Sequence, residues 1–375
     1  MRIVTRRDEL QHAISTVARA VSSRSTLPIL SNILLEASGE TLTLSATDLE
    51  IGIQATMTVE VEEAGSTTLP ARLLAEVVSA QSAGAPLTIE RDDQDHVSFR
   101  SGRSQVEVHG LPADEFPVLP RITPTSIVPL PQAQLKRMIG QCIIAVSTDE
   151  TRARLTGMLL QVGESRLRLV ATDTHRLATR SQNLPEAEAE LAVIVPARAL
   201  REVERQLDGA SEEAVQVDFT DSQVQFRFEG VTIISRLIEG EFPNYRKVIP
   251  AAHEWTLTGP VGLLRESVRR CAIVSRDDNR KLILRALPSG ELHLSAQSSK
   301  IGSAQEELDG LSVVAGTGTT EALEIAFNAD YLLDVLNQLD SDEVRIELTA
   351  ANQPAAVRPV SDEEYVYVLM PMQIV

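Results

Sequence analysis

One pattern occurs three times along the chain, and it leaves few folds open. The segments LPARLLAEVV (69–78), VPARALREVERQL (195–207) and FNADYLLDVLNQL (327–339) share it, with Ala71, Ala197 and Ala329 aligned at offsets of 126 and 132 residues. Each opens on an apolar residue followed by Pro or Asn and then runs with helical apolar spacing. A second signature precedes each copy: LTLSATDLEI (42–51), LRLVATDTHRL (167–177) and LHLSAQSSKI (292–301). Its alternation predicts a strand, and Ala46, Ala171 and Ala296 are 125 residues apart at both steps.

Two further signatures agree. Leu10, Ile14, Val17 and Val21 have the spacing of Leu135, Ile139, Cys142 and Val146, and Leu264, Val268 and Cys271 continue it. The tripeptide EFP stands at 115–117 and again at 241–243. A period near 125 residues is too long for a solenoid, whose units are of about 20–50 residues. The chain therefore divides into three similar domains, 1–125, 126–252 and 253–375, with boundaries in the Pro-rich stretches PRITPTSIVPLP and VIPAAHEW. Each copy reads as helix, strands, helix, strands, and many short alternating strands beside two helices predict an α+β fold. Such an array is either a row of binding units or an arc that closes when two chains meet head to tail.

The composition narrows the class. Of the 375 residues 43% are hydrophobic and 23% charged, the balance of a soluble globular protein. No apolar run of about 18 residues is present to span a membrane, and MRIVTRRDEL has no signal-peptide core. With Cys142 and Cys271 alone a disulfide framework is not expected, which fits a reducing cytoplasm. Both cysteines fall on equivalent helix positions and are expected to be small core residues.

A net charge of −18 argues at first against nucleic acid, which is held by Lys and Arg. The distribution says otherwise. The six predicted helices (8–24, 71–81, 132–147, 196–208, 262–276 and 327–340) hold 12 basic and 10 acidic residues, a net of +2, so the rest of the chain carries −20. A helical surface near neutrality, in a chain otherwise strongly acidic, could face phosphates. The alternative is that the helix arginines pair with neighbouring carboxylates.

Signatures of catalysis are missing. No G-x-x-x-x-G-K-[ST] loop occurs, and AGTGTT (315–320) reads as a plain loop. Asp173 and His175 lack a nucleophile motif, and the histidines show no metal-ligand spacing with the cysteines. No cofactor, no metal and no catalytic residue is expected. Three classes remain for comparison: a clamp, an acidic scaffold and a hydrolase with a cryptic site.

The ordered set TLPILSNILLE (26–36), ATDTHRLA (171–178), EFPNYRKVIP (241–250) and YVLMPMQIV (367–375) resembles the β subunit of bacterial DNA polymerase III from end to end. The resemblance implies a DNA clamp fold with three domains per chain and a head-to-tail homodimeric ring, helices lining the hole and sheets outside. It implies a processivity factor that encircles double-stranded DNA without regard to sequence and catalyses nothing. A clamp loader ATPase would open the ring. DNA polymerases and repair proteins would dock through short linear motifs carrying a Gln, then Leu and an aromatic residue.

By motif position the resemblance implies DNA contacts at Arg24, Arg72 and Arg198, and at Arg152 and Arg154 of the loop STDETRAR (147–154). That loop departs from relatives, with Asp149, Ala153 and Arg154 where Gln and Tyr can occur, so no stacking role is expected there. The peptide pocket would comprise Leu155, Thr172, Thr174, His175, Arg176 and Leu177 on one wall and Pro243, Lys247 and Val248 on another. Asn328, Tyr331, Pro354, Val368, Leu369, Met370, Pro371 and Met372 would complete it, with Met370 and Leu177 as its apolar floor. The dimer contact would join Arg103, Val106 and Val108 to Ile273 and Val274.

Overall fold

In a computed structural model the chain is described at residues 1–374, except 23–26, 121, 185–189, 212 and 318. Six α-helices are seen among the described residues: α1 (Arg7–Val17), α2 (Ala71–Ser79), α3 (Gln132–Ile143), α4 (Ala197–Gln206), α5 (Val261–Val274) and α6 (Ala329–Gln338). Four of them, α2 to α5, begin where a strand has just ended on a proline (Pro70, Pro131, Pro196 and Pro260). Proline gives no N–H to the ladder and fixes φ, so it stops the strand and sets the chain's angle of entry to the helix. The last helix is capped instead by Asn328, whose Oδ1 accepts from the N–H of Asp330 at 2.9 Å and of Tyr331 at 3.3 Å.

The expected helices are present, but two are shorter than their apolar spacing suggested. Rather than running to residue 24, α1 stops at Val17, passes into a 3-10 turn at Ala18–Ala20 and is extended by Val21. The chain is drawn aside there, since the Ser22 N–H bonds to the Leu30 carbonyl. The other, α3, ends at Ile143, and the apolar positions beyond it sit in a tightened turn with Ala145 N–H on Cys142 O. The predicted helical core positions are otherwise filled: Leu10, Ile14, Val17, Leu135, Ile139, Leu264 and Val268 are all buried.

The contacts gather into two compact units, Met1–Gln132 with Arg198–Leu237, and Ala133–Ala197 with Ile238–Val375. The first holds a five-stranded sheet, Glu60–Glu63, Arg2–Arg6, Pro86–Arg91, His96–Ser101 and Ser104–His109 in spatial order. It also holds an eight-stranded sheet in which Ile51–Thr58 pairs with Val231–Arg236. The second unit holds a nine-stranded sheet in which Arg176–Asn183 pairs with Tyr365–Leu369, and a four-stranded sheet edged by Gly302–Leu308. All the strand pairings described are antiparallel, the pattern of an α+β rather than a wound α/β protein. Each large sheet joins a strand of one sequence repeat to a strand of the next. The compact units therefore differ from the repeats, because a ladder of backbone hydrogen bonds crosses the repeat boundary.

The cores are largely aliphatic, as an aromatic content of 3% requires, with Trp255, Tyr365, Tyr367, Phe99, Phe226 and Phe327 among the largest buried side chains. Cys142 and Cys271 are both buried free thiols. Burial pushes their pKa up to about 12 and about 11 respectively. The thiolate is thus disfavoured in the fold, so stability should hold below the ordinary thiol pKa of about 8.5 and decline as pH rises through the folded values. At pH 8 neither thiol should react with a disulfide reagent in the native protein, and both should react at once in guanidinium chloride. Fast labelling of either in the native state would contradict this burial.

Candidate functional site

In the second unit the motif ATDTHRLA folds as a tight turn between the strands Arg166–Thr172 and Arg176–Asn183. Asp173 Oδ1 accepts from the backbone N–H groups of His175 at 2.8 Å and Arg176 at 2.9 Å. Thr172 Oγ1 donates to the Arg176 carbonyl at 2.7 Å and accepts from Thr174 N–H at 3.2 Å. These bonds hold Thr174 at φ +80°, a left-handed conformation that a β-branched residue adopts only when its surroundings impose it. Thr174 and His175 are thereby turned out to solvent. Asp173 and His175 are parts of this turn.

Arg176 is the hub. Its Nε is 3.0 Å from Asp173 Oδ2, its Nη1 bonds to Asp334 of α6, and its guanidinium stacks on the Tyr331 ring at 4.1 Å. Burial works against its charge, yet Tyr367, Asp334 and Asp173 outweigh it and raise the pKa, so Arg176 is a fixed cation. Tyr331 is held in turn by its carbonyl, which accepts from Tyr367 Oη at 3.1 Å. The tail continues the ladder: Met370 N–H bonds to the His175 carbonyl at 2.9 Å, and Met372 N–H to the Ala326 carbonyl at 2.7 Å.

The pocket candidates thus fall into two layers. Leu155, Leu177, Val368 and Leu369 are buried, Leu177 at 2% exposure within a cluster with Val170, Tyr245 and Val368. Leu177, expected with Met370 as the apolar floor, lies in the packed layer beneath the surface. Reachable from solvent are Thr174, His175, Pro243, Lys247, Val248 and Met370, with Thr172, Arg176, Tyr331, Pro354, Pro371 and Met372 half-buried behind them. Asn328 is half-buried and occupied as the cap of α6.

Of the DNA candidates, Arg24 lies outside the described residues. Three of the others are ion-paired. Arg72 pairs with Glu76 at 2.9 Å, Arg198 with Asp48, and Arg152 with Asp149 at 3.4 Å and Thr174 Oγ1 at 3.1 Å. Arg154 lies against Gly240, where a Cβ would fall 2.7 Å from its Nε. The alternative reading of helix arginines, pairing with nearby carboxylates, is met at Arg72, Arg137, Arg205 and Arg270. Exposed Arg201 of α4 and Arg269 of α5 have no ion-pair partner among the described residues, and neither is among the DNA candidates that the resemblance implied. Their signal was positional: each is an Arg on the outward face of an otherwise amphipathic helix.

The dimer candidates lie at one sheet edge and on a helix packed beside another. Arg103 is exposed in the turn before Ser104–His109, Val106 is half-buried and Val108 buried in that edge strand. Ile273 is 53% exposed near the end of α5, beside half-buried Val274, and α5 packs on the edge strand Gly302–Leu308. Among the described residues no cluster of metal-ligating side chains is found, and no helix is long and apolar enough to cross a membrane.

Known proteins match over the whole length. Residues 1–120, 129–244 and 246–373 match the N-terminal, central and C-terminal domain families of the DNA polymerase III beta subunit. The beta sliding clamp of Proteus mirabilis is 34% identical over 375 residues, all of both chains. The DNA polymerase sliding clamp of Bacillus subtilis superposes with a TM-score of 0.93 at 31% identity, covering all of both chains. A sliding clamp of Pseudomonas aeruginosa, solved bound to griselimycin, gives 0.92 at 32% identity, again over all of both chains. Three domain families in chain order, with relatives and solved structures matched over the full length, define the class of DNA polymerase sliding clamps. The chain belongs to the bacterial DNA polymerase III beta subunit family.

Proposed function

We propose that this clamp subunit, a non-catalytic processivity factor of DNA polymerase, works as a head-to-tail homodimeric ring around duplex DNA. It comprises three domains, 1–125, 126–252 and 253–375, and holds polymerases and repair proteins by short peptides in the cleft around His175 and Met370. A clamp loader ATPase opens the ring. The retention is topological, so wall contacts from Arg201, Arg269 and the candidates Arg24, Arg72, Arg152, Arg154 and Arg198 can be weak and blind to sequence.

The observation that carries the ring is an unfilled place in the repeat. Strand Ile51–Thr58 of the first copy pairs with Val231–Arg236, and Arg176–Asn183 of the second pairs with Tyr365–Leu369. The equivalent strand of the third copy, Gly302–Leu308, follows a turn of the same kind, in which Ser298 Oγ accepts from the N–H groups of Lys300 and Ile301 at 3.2 Å. Yet it is a sheet edge. Ser104–His109, the hairpin mate of His96–Ser101 as Val231–Arg236 is of Gln223–Phe228, is an edge too. Two free edges of matching kind are a liability unless they meet, and two chains head to tail join both pairs.

The repeat also fixes the register. Ile53 pairs with Ile233, and Ser303 and Val106 are their equivalents, so Ser303 of one chain stands opposite Val106 of the other. Bonds from Thr56 N–H to Gly230 O and from Arg236 N–H to Glu50 O place Ile53 and Ile233 at a pair not joined by hydrogen bonds. Their Cα atoms are then about 4.5 Å apart, within disulfide reach. A Val106→Cys/Ser303→Cys variant should give covalent dimers under mild oxidation. Charged residues at Val106 and Ile273 should give folded monomers. A charged variant that stays dimeric at micromolar concentration, or cysteines that fail to cross-link, would place the contact elsewhere.

A further inference from the structure

The turn that presents His175 has a twin in the first unit. Thr47 Oγ1 donates to the Ile51 carbonyl at 2.9 Å and accepts from Leu49 N–H at 3.0 Å, as Thr172 does with Arg176 and Thr174. Asp48 Oδ1 accepts from the N–H groups of Glu50 at 3.0 Å and Ile51 at 2.9 Å, as Asp173 does two and three residues on. Leu49 has φ +78° where Thr174 has +80°. The Glu50 carbonyl accepts from Arg236 N–H at 3.0 Å, as that of His175 accepts from Met370. Even the overlying connector is repeated: EFP precedes Leu119, which leans over Gly52, as a second EFP precedes Tyr245, which packs on Leu177.

A cavity of about 350 Å³ accompanies the third copy's turn, and one of about 250 Å³ the first copy's. The former lies beside the edge strand assigned above to the dimer contact. The latter is bounded by Leu49, Glu50, Val118, Leu119, Ile234 and Arg236. At 250 Å³ it is smaller than the roughly 300–1,000 Å³ typical of small-molecule sites, and suits one or two side chains. Leu49 and Val118, 46% and 93% exposed, stand at its mouth. An isolated exposed aliphatic residue means little, but two of them flanking a cavity offer a partner apolar surface.

The rim differs from its twin in charge. Glu50 stands where the other cleft has His175, and Arg236 where it has Met370. Neither forms an ion pair among the described residues, although the ladder sets them opposite each other. Gly52 in place of Leu177 lets Leu119 down onto the sheet, where a Cβ would come within 2.7 Å of Leu119 Cδ2. This narrows the floor and favours an aliphatic over an aromatic anchor. We propose that this cleft is a second docking site, taking an extended segment of a partner protein with an aliphatic side chain in the cavity and a neighbouring carboxylate on Arg236.

The proposal takes the His175 cleft as the peptide site of its twin, and the test keeps the two readings apart. The probe is a fluorescein-labelled peptide, Gly-Ser-Ala-Leu-Asp-Glu-Ser-Gly, titrated with the full-length protein by anisotropy. Binding should saturate, weaken about tenfold or more on Arg236→Glu and on Leu49→Asp, and survive in Arg236→Lys. It should also persist with a saturating unlabelled Gln-Leu-Phe peptide present and after removal of residues 370–375. No saturable binding, displacement by the Gln-Leu-Phe peptide, or indifference to Arg236→Glu would overturn the second site. A labelled Gln-Leu-Phe peptide that itself fails to bind would overturn the His175 cleft instead, and leave this proposal to stand on its own titration.

Discussion

Removal of residues 370–375 is expected to abolish binding of a Gln-Leu-aromatic peptide and polymerase processivity together, while the protein still folds and dimerises. The loss should reach about a hundredfold or more in peptide affinity, because a short disordered partner segment depends on very few buried anchors. Met370 supplies apolar surface at the cleft, and its N–H is tied to the His175 carbonyl. The truncation gives up that bond and the one from Met372 to Ala326, at a net cost of about 1 kcal/mol each. Leu369 and Val368, buried in the ladder, remain to hold the sheet. A milder variant, Met370→Asp, keeps both backbone bonds and should weaken the peptide by about tenfold or more. Peptide anisotropy beside sizing of each variant is the measurement, and unchanged affinity in a folded truncation would make the tail a packing element only.

The second large effect concerns DNA. Once loaded onto circular DNA the protein should remain bound, and cutting the circle should release it from the free ends. In a chain of net charge −18 the basic residues are diluted, which leaves little affinity for phosphates without encirclement. Most helix arginines are already committed to Glu or Asp, as Arg72 is to Glu76 and Arg270 to Glu306. Blocking the ends of a linear duplex with bound protein should restore retention. Equal retention on blocked and open ends, read by gel filtration of the loaded complexes, would refute encirclement. Added salt should speed sliding off open ends far more than it loosens the closed circle.

Much of the fold was legible because the repeat is a local signal. Leu10, Ile14 and Val17 announced a buried helix face, and Pro70 and Pro196 marked where strands give way to helices. What could not be read was the pairing between repeats. Nothing in VTIIS or ATMT says that Val231 lies opposite Ala55, because register across 176 residues is decided by tertiary packing. The site was half legible for the same reason. ATDTHRLA stood out as a repeated motif, but its alternation predicts one strand, where the structure breaks it with a turn at 173–175 and covers Leu177 with Tyr245 and Val368. Asn328, which the resemblance puts in the peptide pocket, has its side chain occupied as a helix cap, a role consistent with its place before Ala329. Charge gave the weakest guide. Pairing partners such as Asp340 and Asp362 for Arg137, or Asp48 for Arg198, are remote in sequence.

The ladders that cross from one repeat to the next have a kinetic corollary. The seams at Ile233 and at Tyr367 join strands of one covalent chain, so a seam that comes apart re-forms at the millimolar effective concentration of tethered ends. The seam proposed between Val106 and Ser303 has the same hydrogen-bond pattern and no tether. Similar bonds therefore yield two lifetimes, one independent of protein concentration and one governed by it. A ring built this way needs no hinge to decide where it parts, since chain connectivity alone singles out the breakable joint. Substitutions along Ser104–His109 or Gly302–Leu308 would then adjust the ring's residence time on DNA while leaving each protomer's own stability nearly untouched.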